Sequence, residues 1–201
     1  CPGYLLLTEG RICERCRGGR YYEAVRHRCL LQSRGASLVG AVEAYVHGGL
    51  RTYSRVRRFL CPSRFLLEKM ASFGVPRARL VHLPYFLPAG RYRVEPPPAR
   101  DPDRPLVAVY VGRLSREKGI AVLVEAMSLL PPGRLRLEVL GEGPLREALE
   151  ERARATCPDG RVRFVGYRQG EELFDAIRAA SFAVVPSEWY ENLPYSVLEP
   201  F

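Results

Sequence analysis

The chain has 201 residues, 47% of them hydrophobic, and its 31 Lys and Arg residues outnumber its 22 Asp and Glu residues, which gives a net charge of +9. This length and hydrophobic content suffice for one large or two small domains with a sizeable core. The sequence has no run of eighteen apolar residues, which excludes a transmembrane helix, and shows no signal-peptide pattern. The basic surplus favours anionic partners, namely nucleic acid, acidic lipid head groups or phosphorylated small molecules, unless it reflects a coding bias toward Arg.

Four cysteines lie in the first 29 residues, an irregular segment, and two of them form a C-x2-C pair, Cys13 and Cys16. This spacing lets two thiolates bind one tetrahedral metal ion, usually zinc, and Cys1 with Cys29 would complete a structural site. His27 is a substitute ligand for such a site. Free thiols are a second interpretation, and a disulfide or redox pair is a third, although a cytoplasmic chain would not hold stable disulfides.

Residues 35–59 carry apolar side chains at helical spacing, with an interruption at Gly48 and Gly49. A cluster of arginines follows around Tyr53. It forms either a patch for an anionic acceptor or a membrane surface, or a solvated basic helix face. The arginines are Arg51, Arg55, Arg57 and Arg58.

The next segment is predicted to form a strand, a helix and a second strand. A short strand over 59–63 ends at Ser63, which is a good N-cap for a helix over 64–73, and Gly74 is a good stop for that helix. The second strand covers 80–84. His82 alternates with apolar neighbours in it, so we interpret His82 as a structural residue rather than a catalytic base.

Residues 88–105 are rich in Pro and Arg and are predicted to form a stiff linker between a first domain, 1–87, and a second, 106–201. In the second domain apolar strands alternate with helices, a pattern typical of a parallel sheet covered by helices on both faces. The predicted strands cover 106–111, 135–140, 162–165 and 182–185. The predicted helices cover 117–130, 144–156 and 171–180.

Polar turns follow these strands, and ligands of parallel sheets bind beyond the carboxyl ends of the strands. In the first turn Gly112 lets the backbone approach a ligand closely, and the forked guanidinium of Arg113 can bind two phosphate oxygens. Lys118, at the start of the next helix, adds a compact second positive charge. Two such cations and a helix end can balance a diphosphate without a metal ion, and they would stabilise the charge that builds up on it if it acts as a leaving group.

The last fifteen residues form a polar turn followed by a predicted helix. Pro194 suits the first helical position because its missing N–H would be unpaired there, and the free N–H groups of a helix start attract phosphate. Glu191 lies in the turn and Glu199 on the second helical turn. Helical side chains lean toward the N-terminus, so both carboxylates could reach one ligand.

Glu191, seven further residues and Glu199, with Asn192-Leu193-Pro194 between them, resemble the E-x7-E signature of retaining glycosyltransferases of the GT-B fold, family 4. The stretches GRLSREKG, LGEGP and VRFVGY resemble the segments of that family that bind the donor. The resemblance covers residues 59–201 well and residues 1–58 only loosely. Tyr85 departs from it, because the family commonly has Asn at this position.

This resemblance implies an α/β chain of the GT-B fold, which has two Rossmann-like domains, with the end of the N-terminal domain and most of the C-terminal, donor-binding domain present. It implies that Glu191 lies near the transferred sugar and that Glu199 holds the ribose hydroxyls of the donor. It further implies backbone N–H groups of Asn192 and Leu193 on the diphosphate, and Gly166 near the base. The family is generally metal-independent, so no catalytic cofactor is expected.

The expected function is retaining transfer of a hexose from a UDP-, GDP- or ADP-linked donor to a saccharide or lipid-linked acceptor, as in polysaccharide biosynthesis. We expect a cytoplasmic protein, with peripheral contact at the inner face of the membrane as an open alternative. A non-catalytic nucleotide-sugar-binding subunit of the same fold is the alternative function. Nucleic acid is not an expected partner, because surface aromatic residues are not interleaved with the arginines.

The chain begins with Cys1 rather than Met and stops within a predicted helix, so we expect further sequence at both ends. We also expect the 201 residues alone to be inactive and poorly stable, because the last helix would lack packing partners.

Overall fold

The protein is described by a computed structural model that covers residues 1–86 and 104–200. The chain divides into two units. The first contains Cys1–Tyr85 and Trp189–Leu193, and the second contains Phe86–Glu188 and Pro194–Phe201. The predicted linker, 88–105, lies outside the described residues except for its last two, and the predicted domain limits stay predictions.

The first unit begins with a two-strand hairpin, β1 and β2, and continues with helices and a pair of parallel strands, β3 and β4. Its strands are β1 Leu7–Thr8, β2 Arg11–Ile12, β3 Phe59–Cys61 and β4 Leu80–His82. Its α-helices are α1 Tyr22–Arg26, α2 Arg34–Gly49 and α3 Arg64–Ser72, and short 3-10 turns cover Arg17–Gly19, Thr52–Arg55 and Arg77–Arg79. The segment over 1–29, expected to be irregular, therefore contains a hairpin and a short helix.

Serine side chains set the starts of the two longer helices of this unit. The hydroxyl of Ser33 accepts a hydrogen bond from the Ala36 amide at the start of α2, and that of Ser63 accepts one from the Leu66 amide at the start of α3. Each bond satisfies an amide that has no partner within the helix. The predicted cap at Ser63 is thereby confirmed. The predicted interruption at Gly48 and Gly49 lies slightly too early, because α2 includes both glycines and ends at Gly49.

The second unit contains a parallel four-stranded sheet in the order β7-β6-β5-β8 among its described residues. The strands are β5 Leu106–Val111, β6 Leu135–Leu140, β7 Val162–Gly166 and β8 Phe182–Ala183. The helices are α4 Ile120–Ser128, α5 Arg146–Thr156, α6 Glu171–Ala179 and α7 Tyr195–Leu198, with a 3-10 turn over Arg116–Lys118. Strands and helices alternate along the chain as the hydrophobic pattern predicts.

Several predicted elements are shorter than expected. Strand β3 ends at Cys61 instead of residue 63, β4 ends at His82 instead of residue 84, and α5 begins at Arg146 instead of residue 144. Strand β8 ends at Ala183 instead of reaching residue 185, although the Val184 amide still donates to the Val109 carbonyl at 2.9 Å. Pro186 has no amide hydrogen, so the ladder cannot continue through it. Helix α7 begins one residue later than predicted, because Pro194 has an extended backbone (ψ 145°) and precedes the first helical residue.

The core of the second unit lies between the central strands and the helices α4 and α5. Ten large and small apolar side chains and Cys157 form one buried cluster there. Its members are Ala108, Tyr110, Leu114, Ile120, Val124, Met127, Leu137, Val139, Leu149, Ala153 and Cys157. Each fully buried large apolar side chain stabilises the fold by about 1.5–3 kcal/mol, so this cluster fixes the strand ends on which the candidate site is built.

The helix predicted over 117–130 is interrupted at Gly119. This residue has a left-handed backbone (φ +67°), which separates the 3-10 turn over Arg116–Lys118 from α4. A β-carbon at Gly119 would lie 2.0 Å from the Pro186 carbonyl oxygen. The prediction of one continuous helix was wrong because the following strand-to-turn segment passes too close for any side chain at this position.

None of the helices within the described residues is long and apolar enough to cross a bilayer.

Candidate functional site

The turns that follow β5, β6 and β7 are joined to one another by backbone hydrogen bonds. The Gly112 amide donates to the Leu140 carbonyl at 3.0 Å, and the Gly141 amide donates to the Gly166 carbonyl at 2.9 Å. A third bond runs from the Leu114 amide to the Glu142 carbonyl. The strand pairing thus continues past the strand ends and holds the three turns as one surface at the carboxyl edge of the sheet.

Gly141 is required for this close arrangement. Its backbone has φ +144°, and a β-carbon there would lie 1.9 Å from the Gly112 carbonyl oxygen. Only glycine allows two turns to approach each other in this way. A β-carbon at Gly143 would lie 2.4 Å from the Leu114 carbonyl oxygen. Both glycines of this turn are therefore needed for the close packing of the turns, which the sequence alone did not show.

A cavity of about 650 Å³ opens beside these turns, entirely within the second unit. Its volume lies in the range of small-molecule sites. Three of the predicted site residues line it: Gly112, Arg113 and Glu199. The lining also includes Val111, Leu140, Gly141, Glu142, Tyr167, Arg168, Gln169, Gly170, Glu171, Leu173 and Phe174.

Arg113 is the exposed cation of the first turn. Its backbone is held by Tyr110, whose hydroxyl donates to the Arg113 carbonyl at 2.8 Å. Within residues 1–86 and 104–200 no hydrogen bond or ion pair of the Arg113 guanidinium is seen. The fork is thus free to bind an anion at the mouth of the cavity.

Lys118 and Gly166, both predicted site residues, are not among the cavity-lining residues. Lys118 ends the 3-10 turn that precedes Gly119, and it takes part in contacts within the protein. Gly166 is the last residue of β7 and has φ +85°. It holds the turn from which Tyr167 and Arg168 reach the cavity.

Glu199 follows α7 and its carboxyl group faces the cavity in a half-buried position. Burial raises the pKa of Glu199 above the ordinary value of a glutamate, because a charged carboxylate loses water without gaining a cation. Such a group gains from any ligand that donates hydrogen bonds to it. Hydroxyl groups of a bound sugar are donors of this kind.

The remaining charges of the cavity are paired within the second unit. Glu142 forms an ion pair with Arg146, which also binds Glu150 at 2.8 Å. Arg168 lies 3.6 Å from the Glu172 carboxylate. Arg113 and Glu199 therefore differ from the other charged groups of the lining, which already have partners of opposite charge.

Glu191, Asn192 and Leu193 belong to the first unit, whereas the other residues predicted for the donor site belong to the second. Leu193 has a left-handed backbone (φ +57°), which costs a residue with a side chain about 1–2 kcal/mol. Strain of this kind persists where surrounding contacts enforce it and is frequent at functional sites. The side-chain oxygens of Asn192 and Ser63 lie 3.5 Å apart.

The four N-terminal cysteines are free thiols, of which Cys16 is buried and Cys1 exposed. Burial raises the pKa of Cys16. Within the described parts of the chain, no three His, Cys, Asp or Glu side chains are placed to hold a metal ion. A structural zinc on Cys1, Cys13, Cys16 and Cys29 stays a prediction.

Sequence reasoning missed several residues of the site region. Tyr167, Arg168 and Gln169 line the cavity, and the only signal for them was their position after the strand ending at Gly166. In the first unit, Glu14 and Lys69 bind Tyr190, a neighbour of Glu191. No sequence pattern links residues so far apart in the chain.

The profile of the family described as "Glycosyl transferases group 1" matches residues 94–201, more than half of the chain. The chain belongs to this family. The match contains the cavity-lining turns and both glutamates of the E-x7-E pattern. The family assignment expected from the motifs is confirmed at this level.

Curated relatives match the same part of the chain. Alpha-D-kanosaminyltransferase of Streptomyces kanamyceticus is 36% identical over 99 residues, which is 48% of this chain and 25% of that protein. Mannosylfructose-phosphate synthase of Agrobacterium fabrum is 33% identical over 103 residues, which is 46% of this chain and 22% of that protein. The chain thus spans about a quarter of the length of these relatives.

Solved structures extend the likeness into the first unit. The apo form of the lipopolysaccharide outer core galactosyltransferase WaaB has a TM-score of 0.58 at 24% identity, over 71% of this chain and 40% of its own. Anabaena HepE in complex with UDP and glucose has a TM-score of 0.60 at 17% identity, over 72% of this chain and 41% of its own. The chain has the GT-B glycosyltransferase fold, as the sequence predicted.

Proposed function

We propose that the protein is a retaining glycosyltransferase of family 4 that moves a hexose from a nucleotide-sugar donor to a saccharide or lipid-linked acceptor. The observation that carries this proposal is the cavity at the carboxyl edge of the parallel sheet, with the free guanidinium of Arg113 and the half-buried carboxyl group of Glu199 in its lining. Among the residues that the structure describes, Arg113 has no partner for its guanidinium and Glu199 has no cation beside its carboxyl group. Such a pair suits a ligand that has both phosphates and hydroxyls.

The diphosphate of the donor would bind at the first turn. Arg113 offers two parallel N–H groups to phosphate oxygens, the geometry in which charge-assisted hydrogen bonds are strongest. Lys118, in the following 3-10 turn, is assigned to the same diphosphate on the strength of the family motif. As the glycosidic bond to the phosphate breaks, negative charge grows on the leaving diphosphate, and a fixed cation lowers the barrier without a metal ion.

The nucleoside would occupy the part of the cavity next to Glu199. Its ribose hydroxyls would donate hydrogen bonds to the Glu199 carboxylate, which compensates for the water that the buried group has lost. The base would lie toward the turn after β7, where the ring of Tyr167 is 65% exposed and Gly166 keeps the backbone close. The complex of HepE with UDP and glucose supports a uridine donor as the first candidate.

Glu191 is assigned to the transferred sugar on the basis of the E-x7-E pattern. An ionised glutamate near the anomeric carbon stabilises an oxocarbenium-like sugar and binds its hydroxyls. The backbone amides of Asn192 and Leu193 are assigned to the diphosphate, and the left-handed backbone of Leu193 supports a functional constraint at this point. Attack on the same face of the sugar from which the diphosphate leaves gives retention.

The acceptor is proposed to be a saccharide or a lipid-linked saccharide, and the location cytoplasmic. The name of one relative, mannosylfructose-phosphate synthase, supports transfer to a sugar-containing acceptor. All six cysteines of the chain are free thiols, which suits a reducing compartment. The exposed arginines Arg51, Arg55 and Arg57 remain candidates for contact with an anionic membrane surface.

Thermal shifts of the full-length protein with UDP, GDP and ADP test the donor site. A nucleotide at a hundred times its Kd stabilises a fold by about 2.7 kcal/mol. We expect a shift with one nucleotide that is lost in Arg113→Ala and in Glu199→Ala. Arg134→Ala is the matched control, because Arg134 is also exposed and lies away from the cavity.

Transfer of a labelled sugar tests the reaction itself. Glu191→Ala should abolish transfer while the nucleotide shift stays, because Glu191 lies in the first unit and the cavity in the second. A shift with none of the three nucleotides would refute the donor site. A normal shift with unimpaired transfer by Glu191→Ala would instead favour a different catalytic residue.

A further inference from the structure

The segment Trp189–Leu193 has no regular secondary structure, yet it belongs to the first unit while the residues on both sides of it belong to the second. Within the described residues it is part of no helix and no strand. Contacts between its side chains and the rest of the first unit therefore help to fix its position. Two residues that make such contacts are Tyr190 and Asn192, the two neighbours of Glu191.

Tyr190 is held from three directions. Its hydroxyl donates to the Glu14 carboxylate at 3.1 Å and accepts from the Lys69 ammonium at 3.5 Å. The Lys69 ammonium also lies 4.6 Å from the centre of the Tyr190 ring, within the range of a cation–π interaction. The ring of Phe65 packs against the same ring with 4.9 Å between centroids. The contacts from Phe65 and Lys69 come from α3, and the contact from Glu14 comes from the Cys13–Cys16 turn.

Lys69 and Glu14 also bind each other. Their ammonium and carboxylate groups are 2.6 Å apart, and only 21% and 26% of the two side chains are exposed. The hydrogen bond from Lys69 lowers the pKa of Glu14, so the carboxylate is charged at neutral pH. A partly buried pair that shares a third polar partner has a defined geometry, unlike an isolated surface pair.

The backbone of the C-x2-C turn fixes the position of Glu14. Glu14 lies between Cys13 and Cys16, and its carbonyl accepts a hydrogen bond from the Arg17 amide at 2.9 Å. The Cys13 amide in turn donates to the Leu6 carbonyl at 2.7 Å, next to the hairpin of β1 and β2. The N-terminal cysteine segment, which has no role in the donor site, thus carries the carboxylate that binds Tyr190.

On its other side the segment is held at Asn192. The side-chain oxygens of Asn192 and Ser63 are 3.5 Å apart, and the same Ser63 hydroxyl accepts from the Leu66 amide and caps α3. Tyr190 and Asn192 therefore both contact α3 or its cap. Glu191 lies between these two fixed neighbours.

We propose that Glu14 and Lys69 are positioning residues, which act through Tyr190 to hold Glu191 in its working position. This inference rests on the proposed function, in which Glu191 acts on the transferred sugar. A displacement of a reacting group by about 1 Å can lower a rate by about a hundredfold. Loss of the Glu14–Lys69–Tyr190 contacts should therefore reduce kcat. The KM for the donor should stay nearly unchanged, because Arg113 and Glu199 lie in the cavity of the second unit and Asn192 keeps its separate contact with Ser63.

The test uses the full-length protein with Lys69→Met, Glu14→Gln and Tyr190→Phe. Lys69→Met keeps the length of the side chain and removes its charge, whereas Tyr190→Phe removes only the hydroxyl. We expect kcat to fall by about tenfold or more in the first two, with the donor KM within about twofold of wild type. Lys69→Arg, which keeps the cation, should restore most of the rate. In the double variant of Lys69→Met and Glu14→Gln, the loss of kcat should be smaller than the two single losses combined, since both substitutions remove the same network.

Glu68→Gln is the matched control. Glu68 precedes Lys69 on α3 and forms an ion pair with Arg77, but this pair has no contact with Trp189–Leu193 among the described residues. The kcat of Glu68→Gln should equal that of the wild-type protein. Thermal melts of all variants and their nucleotide-induced shifts report whether the fold and the cavity are intact.

The outcomes separate the two proposals. A wild-type kcat in Lys69→Met and Glu14→Gln, beside an inactive Glu191→Gln, would overturn the positioning role alone. The positioning role would also be overturned if Glu68→Gln lowered kcat as much as Lys69→Met does, or if Lys69→Met and Glu14→Gln changed only the KM. Full activity of Glu191→Gln would overturn the proposed role of Glu191, and the positioning role with it.

Discussion

The carboxyl group of Glu199 is half-buried in the lining of the cavity, and desolvation raises its pKa. The folded state therefore binds a proton on Glu199 more tightly than the unfolded chain does. Stability falls as the pH rises from the unfolded value, about 4.3, through the raised value of the folded state. Ionisation of this carboxyl group therefore destabilises the empty protein, and bound hydroxyls would relieve this cost.

Glu199→Gln should separate stability from binding. Because the amide carries no charge to desolvate, we expect a melting temperature at neutral pH equal to or above that of wild type. Nucleotide affinity should fall by about tenfold or more, since a hydrogen bond to a charged group contributes about 1.5–3 kcal/mol. Melting curves and binding isotherms on the two proteins measure both effects.

The pH dependence supplies a second observable for the same variant. Nucleotide affinity of the wild type should decline as the pH drops through the raised pKa of Glu199, and this decline should be missing in Glu199→Gln. A lower melting temperature together with unchanged affinity would contradict the assignment of Glu199 to the ribose.

The turns between strands and helices determine the shape of the candidate site more than the helices do. The 3-10 turn over Arg116–Lys118 is tied to the turn after β8 by the Glu188 amide, which donates to the Glu117 carbonyl at 3.0 Å. Gly119 allows this approach, because its missing side chain leaves room for the Pro186 carbonyl. The helix that the hydrophobic pattern predicts is thus broken by a contact with a segment about 70 residues away in the chain.

Gly119→Ala should destabilise the second unit by about 3 kcal/mol, from the left-handed backbone and from the clash with Pro186. Gly133→Ala is the control, because Gly133 also has a positive φ (+79°) but no atom near its β-carbon position. The control should cost about 1–2 kcal/mol. Denaturant titrations of both variants measure the difference, and equal losses would show that the clash relaxes freely.

At the scale of the whole molecule, burial is unequal between the two units. The buried cluster that contains Ile120, Leu137 and Val139 lies in the second unit. In the first unit α2 buries only small residues, Ser37, Gly40 and Ala41, while six larger apolar side chains of α2 and its C-terminal cap are exposed. They are Leu38, Val39, Val42, Tyr45, Val46 and Leu50.

Hydrogen exchange of the 201-residue chain should reflect this difference. Backbone amides of α2 should exchange at least about tenfold faster than those of α5, a helix of the second unit that buries Leu149 and Ala153. Local opening costs less where few apolar contacts must break. Equal protection of the two helices would contradict the prediction, and fragment-resolved mass spectrometry distinguishes the cases.

Much of the fold could be predicted from the chain because its strands and helices have strong local signals. The apolar runs at 106–111 and 135–140 coincide with β5 and β6, and Ser63 caps α3 as predicted. Among the boundaries that differ, the break at Gly119 and the end of β8 at Ala183 depend on neighbouring segments. A local sequence pattern cannot predict where the Pro186 carbonyl lies or where the hydrogen bonds between two strands end.

The sequence by itself determined the alternation of strands and helices, the family and the residues of its motifs, since these depend on local hydrophobic periods and on spacing along the chain. Only the tertiary structure decided which of those residues share a surface. It placed Arg113 and Glu199 at one cavity, left Lys118 and Gly166 outside its lining, and put Glu191 in the other unit. It also brought Glu14 and Lys69 to Tyr190, because a contact between residues far apart in the chain arises from packing and leaves no periodic trace in the sequence.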